Sequence, residues 1–594
     1  MKHIKKFISV LLCLIIVTLT CITAWAADTE KSSYVPDYDT ETPIVIIHGM
    51  SQNNTYLIDE KGQWIKDDKG NLITGWPLRI EIAPLLKNAL IPLLCAVLTR
   101  QDCGLAAAID ASVSEALWVI EKDTKGNYVN NISVPCYECP MSELPDDVKE
   151  EYYRFVPVQE LDEIVGEENV YYFGYDSLGD VAEITEHLNY YIHDVVMAQT
   201  GAKQVSLCPI SLGGTIAVQY LEDYPEDYSL IKKMVFIEPA LDGSNVIGDL
   251  LTNNLSFYNA DDLYTSILPA LFGETPVAYL LNMVLRILPE DVLMGALSSL
   301  ATSLADYALR PSTILWALCP DAYYEEARSL WLTDDKYSEI REKADAFMNA
   351  RKNLKDNLTE LMDTGCVVAD IVCYNVNLFP ICKDYKTTNA DRVIHSASTS
   401  IGATFADFGT TLGENYKAVG TYCSDPNHNH LSPDGIVDAT TGFLPCSTWY
   451  FNEQPHEMLP DNDVAIKLAI RIITDNNMND VYSNPEEYPQ FNNARLVRIG
   501  REYIALWEET DKTSIPDNEK AAVDEAVKEM KTLLDETVVI KGEWENAEEK
   551  LENALTAAGV IEDPDPTEFE QILTKILKGM NMGVNKLYKM INAA

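Results

Sequence analysis

Positive charge is what this chain has least of. Only 45 lysines and arginines stand against 92 aspartates and glutamates, a formal charge of -47 at pH 7. Such a surface repels a phosphate backbone and argues against nucleic acid as a partner. Long apolar runs are also scarce: after the first 26 residues no stretch suits a bilayer-spanning helix, and the C-terminal end reads as carrying no anchor. Neither an internal repeat nor a low-complexity segment is found, which leaves an ordinary globular organisation. Histidine numbers only eight, so each one can be weighed individually.

What is present begins with "MKHIKKFISVLLCLIIVTLTCITAWAAD", lysines followed by an apolar run and Ala24-Trp25-Ala26. This reads as a secretory signal peptide over residues 1–26, so the mature protein is expected outside the cytoplasm. Thirteen cysteines, less Cys13 and Cys21 of the leader, leave an odd number, so at least one is unpaired or pairs between chains. Cys136 and Cys139 form a lone C-x-x-C, which suits a local bridge better than a metal. The acidic loops could hold a structural calcium, but no particular loop stands out, and the expectation is no cofactor and no metal.

With 594 residues and 47% hydrophobic content, the chain is too long for one ordinary domain and able to bury a large core. Strands are expected in "TPIVIIHGM" (42–50), "NVYYFGYDS" (169–177), "KQVSLCPIS" (203–211), "KKMVFIEPA" (232–240), "VVADIVCYN" (367–375) and "STWYF" (447–451). Their unbroken apolar character suits strands buried on both faces. Helical patterns between them, such as 182–199 with Ile184, Leu188, Ile192 and Val195 on one stripe, give a doubly wound, mostly parallel α/β sheet. Residues 27–490 are taken as this domain, interrupted by insertions at 55–165 and 243–365. The second is rich in Leu, Ala, Tyr and Trp and is expected to roof the crevice as a helical cap. Residues 491–594 read as a separate helical region whose last amphipathic stretch, with Phe569, Ile572, Leu573 and interleaved Lys575 and Lys578, suits docking on the body or contact with a lipid interface.

Ser211 stands between a strand-like and a helix-like run, in Pro209-Ile-Ser-Leu-Gly213 followed by Gly214. A sharp strand-serine-helix turn lifts the hydroxyl above the sheet and needs small neighbours where strand and helix pass closely. On these residues and on the order of elements over about 42–476, the chain resembles the α/β-hydrolase superfamily, and within it bacterial secreted lipases and esterases. The resemblance makes Ser211 the nucleophile. Proline stands where the G-x-S-x-G pattern has glycine, which removes a main-chain donor, tolerable at a strand end.

The resemblance also implies that His48-Gly49-Met50, after the first strand, forms the oxyanion loop. The main-chain N–H groups of Met50 and Leu212 would then face the developing oxyanion, with His48 shaping the loop. A serine needs an imidazole to take its proton. Of the downstream histidines His395, His428, His430 and His456, the last follows the final predicted strand and precedes an amphipathic helix, the place of the family's base. His428 and His430 sit in "CSDPNHNHLSPDG" and could join Asp425 on a metal, but no further ligand at suitable spacing is apparent. For the acid, Asp434 in "SPDGIVD" is preferred by likeness to bacterial lipases, with Glu238 in "FIEPALDG" and Asp438 as alternatives.

The function implied is hydrolysis of carboxylic esters, with lipid or other hydrophobic acyl esters favoured, through a Ser-His-Asp triad and an acyl-enzyme. An acyltransferase or amidase on the same residues, or a secreted binding protein that has lost turnover, are the alternatives. Oligomeric state is not legible.

Overall fold

All six expected runs become strands, and a short seventh joins them at one edge. They are β1 (Ile44–Ile47), β2 (Val170–Phe173), β3 (Val205–Pro209), β4 (Ile231–Ile237), β5 (Val367–Tyr374), β6 (Thr448–Asn452) and β7 (Phe491–Asn493). They pair in the order β2-β1-β3-β4-β5-β6-β7, every pair parallel. The computed structural model describes residues 34–77, 82–157, 159–254, 285–286, 288–494, 498–510, 512–535 and 541–561. The leader, residues 255–284 of the second insertion and the final amphipathic stretch lie outside the described residues.

Among the described helices, those that cover the sheet or build the insertions and the C-terminal region are α1 (Ile82–Thr99), α2 (Leu105–Leu117), α3 (Gln159–Val165), α4 (Val181–Tyr190), α5 (Leu212–Asp223), α6 (Glu290–Leu304), α7 (Ser338–Asp363), α8 (Asp463–Thr474), α9 (Arg498–Glu509), α10 (Asp517–Asp535) and α11 (Lys541–Ala557). Alternation along each strand sends side chains to opposite faces. Val45, Ile47, Phe173, Leu207 and Phe236 enter one core with α4, α5 and α7. Ile44, Ile46, Tyr172, Cys208, Ile237 and Trp449 enter the other, against α3 and α8. Both faces are therefore covered, which is why the strands read as unbroken apolar runs.

The chain goes from β1 outward to β2 and then returns across β1 to form β3. This reversal beside β1 makes a crevice at the carboxyl ends of the strands, the usual place for a ligand in an open parallel sheet. Ser211 stands there.

The block expected to be a cap divides. Its second half supplies Ile314, Trp316, Leu354 and Leu358 to the first core, where α7 packs on α5 as the ordinary crossover helix between β4 and β5. α6 instead packs on α1 and α2 of the first insertion around Ala96, Leu105, Val292 and Leu293. α9, α10 and α11 have a core of their own around Trp507, Val523, Met530, Trp544 and Leu551. Arg501 of α9 reaches Asp463 of α8 at 3.1 Å.

Lys233 of β4 is buried, with Nζ donating to the carbonyls of Ile472 and Asp475, 2.6 Å each. Those carbonyls belong to the C-terminal turn of α8, where the helix dipole favours a cation. One buried ammonium thus pins the far end of α8 to the centre of the sheet.

Candidate functional site

Past the end of β3 the main chain is held from both sides. Ile210 N–H donates to Ile47 O of β1 and Ser211 N–H to Ile237 O of β4, both at 2.9 Å. The Ser211 carbonyl accepts from Gly214 and Ala240 N–H groups, again at 2.9 Å. So fixed, Ser211 takes φ 52° and ψ -113°, a conformation costing on the order of 1–3 kcal/mol for a residue with a Cβ. The glycines remove the steric conflict: a Cβ on Gly213 would stand 2.2 Å from Ile47 O, and one on Gly214 2.5 Å from Pro239 Cβ. Pro209 is the last residue of β3, beside Ile47, and the next donor along the chain makes the bond to β1.

His456 follows β6 and opens the short turn that leads into α8. Its Nε2 lies 2.9 Å from Ser211 Oγ. Its Nδ1 lies 2.8 Å from Asp391 Oδ2 and 3.4 Å from Glu238 Oε2. His456 N–H also donates to Asp391 O at 2.7 Å, so side chain and main chain are registered on the same residue.

Asp391 lies in the loop after β5 and is wholly buried. Its Oδ1 accepts from Val393 N–H at 2.9 Å and Ile394 N–H at 2.7 Å, which aims Oδ2 at the imidazole.

Glu238 follows β4 with φ 46° and is also buried. Burial, together with the charge of Asp391, pushes its carboxyl up to about 8 despite the imidazole beside it. Its Oε1 has no hydrogen-bond partner. Burial acts to lower the pKa of His456, but Asp391 and Glu238 outweigh it and raise the imidazole to about 10. One ligand atom from the imidazole and from each carboxylate lie within 4.8 Å of one another, a spacing that would also admit a metal ion.

Of the three expected acids, Asp434 and Asp438 do not meet the imidazole, whereas Glu238 comes within 3.4 Å of it. Asp434 accepts from Ile436 N–H at 3.0 Å and from the Ser432 hydroxyl, which close its own turn, and from the Tyr374 hydroxyl of β5 at 2.5 Å. Asp438 is buried with the Tyr416 hydroxyl, Val419 N–H and Thr440 on its oxygens. Each carboxylate is engaged in local loop structure, and Asp391 takes Nδ1 instead. Glu238 faces the same nitrogen from farther away, at 3.4 Å. Sequence reasoning missed Asp391, for which the only local signal is the run of main-chain donors after it.

His48 is buried, its ring 4.0 Å centroid to centroid from Tyr175 and its Nδ1 2.7 Å from Gly49 O. Burial pulls it down to about 4, so it carries no charge at neutral pH. Gly49 N–H donates to Gln52 Oε1 at 2.6 Å, which sets the loop, and a Cβ on Gly49 would be 3.1 Å from Ser211 Cβ. That adjacency puts Met50 beside the serine. Leu212 is the first residue of α5, where N–H groups have no acceptor within the helix. His395 is half-buried, 4.0 Å from Asp242.

Beside Ser211 opens an apolar cavity of about 210 Å³. It runs between the sheet face of Ile44, Ile46 and Cys208 and the wall formed by Leu161 of α3 and Ile466, Ile470 and Ile473 of α8, with Met50 and His456 at the mouth. A void this size in a well-packed core is unusual and is the ordinary mark of a ligand pocket. Among the described residues, its helical wall comes from the α3 and α8 layer.

Elsewhere, Cys423, His428, His430 and Cys446 bring four ligand atoms within 4.8 Å of one another. His428 and His430 were recognisable as candidates. Asp425, their expected companion, lies behind His428 instead, and Cys423 and Cys446 were not among the expected ligands. All the cysteines described, Cys136 and Cys139 among them, are unbridged.

No protein-family model matches the chain, and no curated protein does. A search of solved structures finds a chain described as the crystal structure of the Tle4-Tli4 complex, at 10% identity and a TM-score of 0.30, covering 73% of this chain and 98% of that one.

Proposed function

We propose that the protein is an α/β-hydrolase that cleaves carboxylic esters with hydrophobic acyl portions, acting outside the cytoplasm, through Ser211, His456 and Asp391. The observation that carries this reading is the continuous path from Ser211 Oγ to His456 Nε2 at 2.9 Å and from His456 Nδ1 to Asp391 at 2.8 Å, at the mouth of an apolar cavity. The chain order of serine, acid and histidine is that of the superfamily it resembles.

In the first step Ser211 Oγ bonds to the ester carbonyl carbon while its proton passes to Nε2 of His456. Negative charge then gathers on the former carbonyl oxygen, which the N–H groups of Met50 and Leu212 receive, each contributing about 3 kcal/mol to the transition state. His456 returns the proton to the leaving alkoxide as the carbon-oxygen bond breaks, leaving an acyl-serine. Water, deprotonated by the same imidazole, releases the acid and restores the serine. Asp391 holds the Nδ1 proton and stabilises the imidazolium of both half-reactions.

The cavity argues for an acyl chain as the buried portion, since each methylene taken from water contributes about 0.8 kcal/mol. A fluorophosphonate probe should label the wild-type chain on Ser211 and leave Ser211→Ala unlabelled. With p-nitrophenyl esters, medium-chain acyl groups should exceed acetate in kcat/KM. Absence of labelling would remove the nucleophile assignment, and a clear preference for acetate would remove the acyl chamber.

A further inference from the structure

Loop 423–446 and the segment after β6 converge on one point. Cys423 Sγ lies 3.5 Å from His428 Nδ1, and Cys446 Sγ lies 4.0 Å from the same nitrogen and 3.7 Å from His430 Nε2. Zinc bound to sulfur at about 2.3 Å and to imidazole nitrogen at about 2.0–2.1 Å requires ligand-to-ligand edges of about 3.3–3.8 Å in a tetrahedron. The observed separations fall on or just beyond that range, before any metal has drawn the ligands inward.

The outer nitrogens are arranged as a metal site needs. His430 Nδ1 stands 2.8 Å from Gln490 Oε1. Gln490 is itself oriented, because its Nε2 donates to Pro445 O at 2.8 Å and Thr448 O at 3.0 Å. An amide oxygen fixed in this way accepts from Nδ1–H, which leaves the lone pair on Nε2, the nitrogen facing Cys446. On His428 the outer Nε2 faces Asp425 Oδ2 at 3.9 Å, a carboxylate behind a ligating imidazole. The Tyr482 hydroxyl stands 3.1 Å from His430 Nε2, the contact a metal would displace.

We infer that Cys423, His428, His430 and Cys446 form a closed tetrahedral site for a zinc ion. Both cysteines bind as thiolates, each releasing its proton to solvent. The two imidazoles bind neutral, so the ion and its ligands sum to zero charge, and no oxidation or reduction is involved. With four protein ligands there is no open position for water or substrate, which makes the site structural.

Its place in the fold agrees. Cys446 lies two residues before β6, at the end of the strand opposite to the one that leads to His456. The ion therefore ties the long excursion between β5 and β6 to the start of β6, away from Ser211. A zinc pin at that point fixes where β6 begins and adds to the short antiparallel pairs and the buried cluster of Ala403, Ile436 and Val437 that otherwise hold this loop.

The test is metal content and stability of the full chain purified under reducing conditions. One tightly bound zinc per chain is expected, lost to a strong chelator with a downward shift in melting temperature and regained with zinc. Cobalt added to the stripped protein should give the visible absorption of a tetrahedral thiolate site. The Cys423→Ser/Cys446→Ser variant should hold no zinc and show no cobalt spectrum. Should that variant fail to fold, the cobalt titration of the stripped wild type decides alone. A chain that binds neither metal when reduced, a native disulfide between Cys423 and Cys446, or zinc retained by the double variant would each overturn the site.

Discussion

Asp391 and Glu238 face the same nitrogen of His456, at 2.8 and 3.4 Å. They differ in what else they hold. Asp391 is fastened by two main-chain N–H groups, whereas Glu238 leaves one oxygen without a partner and is pushed up to about 8 by burial. The first is held in a fixed orientation, and burial equips the second to keep its proton near neutrality.

That difference predicts unequal mutants. Asp391→Asn should lower kcat/KM by about 10⁴, because the imidazole loses the partner that sets its tautomer. Glu238→Gln should retain most activity. Steady-state kinetics of the two variants decide the assignment, and a larger loss for Glu238→Gln would reverse it.

The pH profile of the wild type should rise into the alkaline range. His456 works as a base only when neutral, and the carboxylates that face it raise its pKa towards about 10. Replacing Glu238 by Gln removes one of those two influences, so the ascending limb of kcat/KM should move to lower pH. A limb unchanged in Glu238→Gln would contradict this coupling.

Stability should follow the same groups. Glu238 rises from 4.5 to about 8 on folding and His456 from 6.5 to about 10, so each binds a proton more tightly in the folded chain. Their contributions are complete below the unfolded values and disappear as pH rises through the folded ones. Urea midpoints should therefore fall from about pH 4.5 to about pH 10, at no more than about 1.4 kcal/mol per pH unit for each group. Glu238→Gln should flatten the acidic half of that slope.

Gly213→Ala should damage the turn. Its Cβ would meet Ile47 O at 2.2 Å, and that oxygen cannot withdraw because it accepts from Ile210 N–H. Overpacking of this kind costs about 1–3 kcal/mol, and a displacement of Ser211 by about 1 Å would lower activity on the order of 100-fold. Gly295→Ala, where a Cβ meets nothing within 4 Å, is the matched control and should be neutral or stabilising.

Ile466→Trp should shorten the usable cavity. Excluding about two methylenes removes about 1.6 kcal/mol, roughly a tenfold fall in kcat/KM for medium-chain esters, with acetate little changed. A chain-length series on the variant checks it, and equal losses for all chain lengths would show that the helix had moved as a whole.

The strands were legible because a sheet covered on both faces leaves unbroken apolar runs. Within the parallel sheet β7 escaped, since Phe491–Asn493 is a short edge strand with two asparagines, as did the short antiparallel strands of the first insertion. Ser211 and His456 were found from their places relative to strands, which local pattern records well. The acid was not, because the excursion between β5 and β6 is rich in carboxylates and only folding decides which one meets Nδ1. Asp434 sits in a tight Asp-Gly turn that occupies one of its oxygens, and Tyr374 of β5 takes the other. For α7, an amphipathic stripe tells that a face is buried but not what buries it, hence the expectation of a roof where a crossover helix stands. Cys446 shows the same limit, a ligand atom brought to His430 by tertiary closure alone.

The attachment of Lys233 to the last turn of α8 bears on selectivity. His456 precedes that helix and Lys233 grips its other end, so the helix cannot swing outward without dragging the base away from the serine or stranding a buried ammonium. The chamber beneath it is consequently a rigid gauge rather than an elastic sleeve. Acyl chains that reach its end-stop should meet an abrupt cutoff, with no gradual decline in rate as length increases.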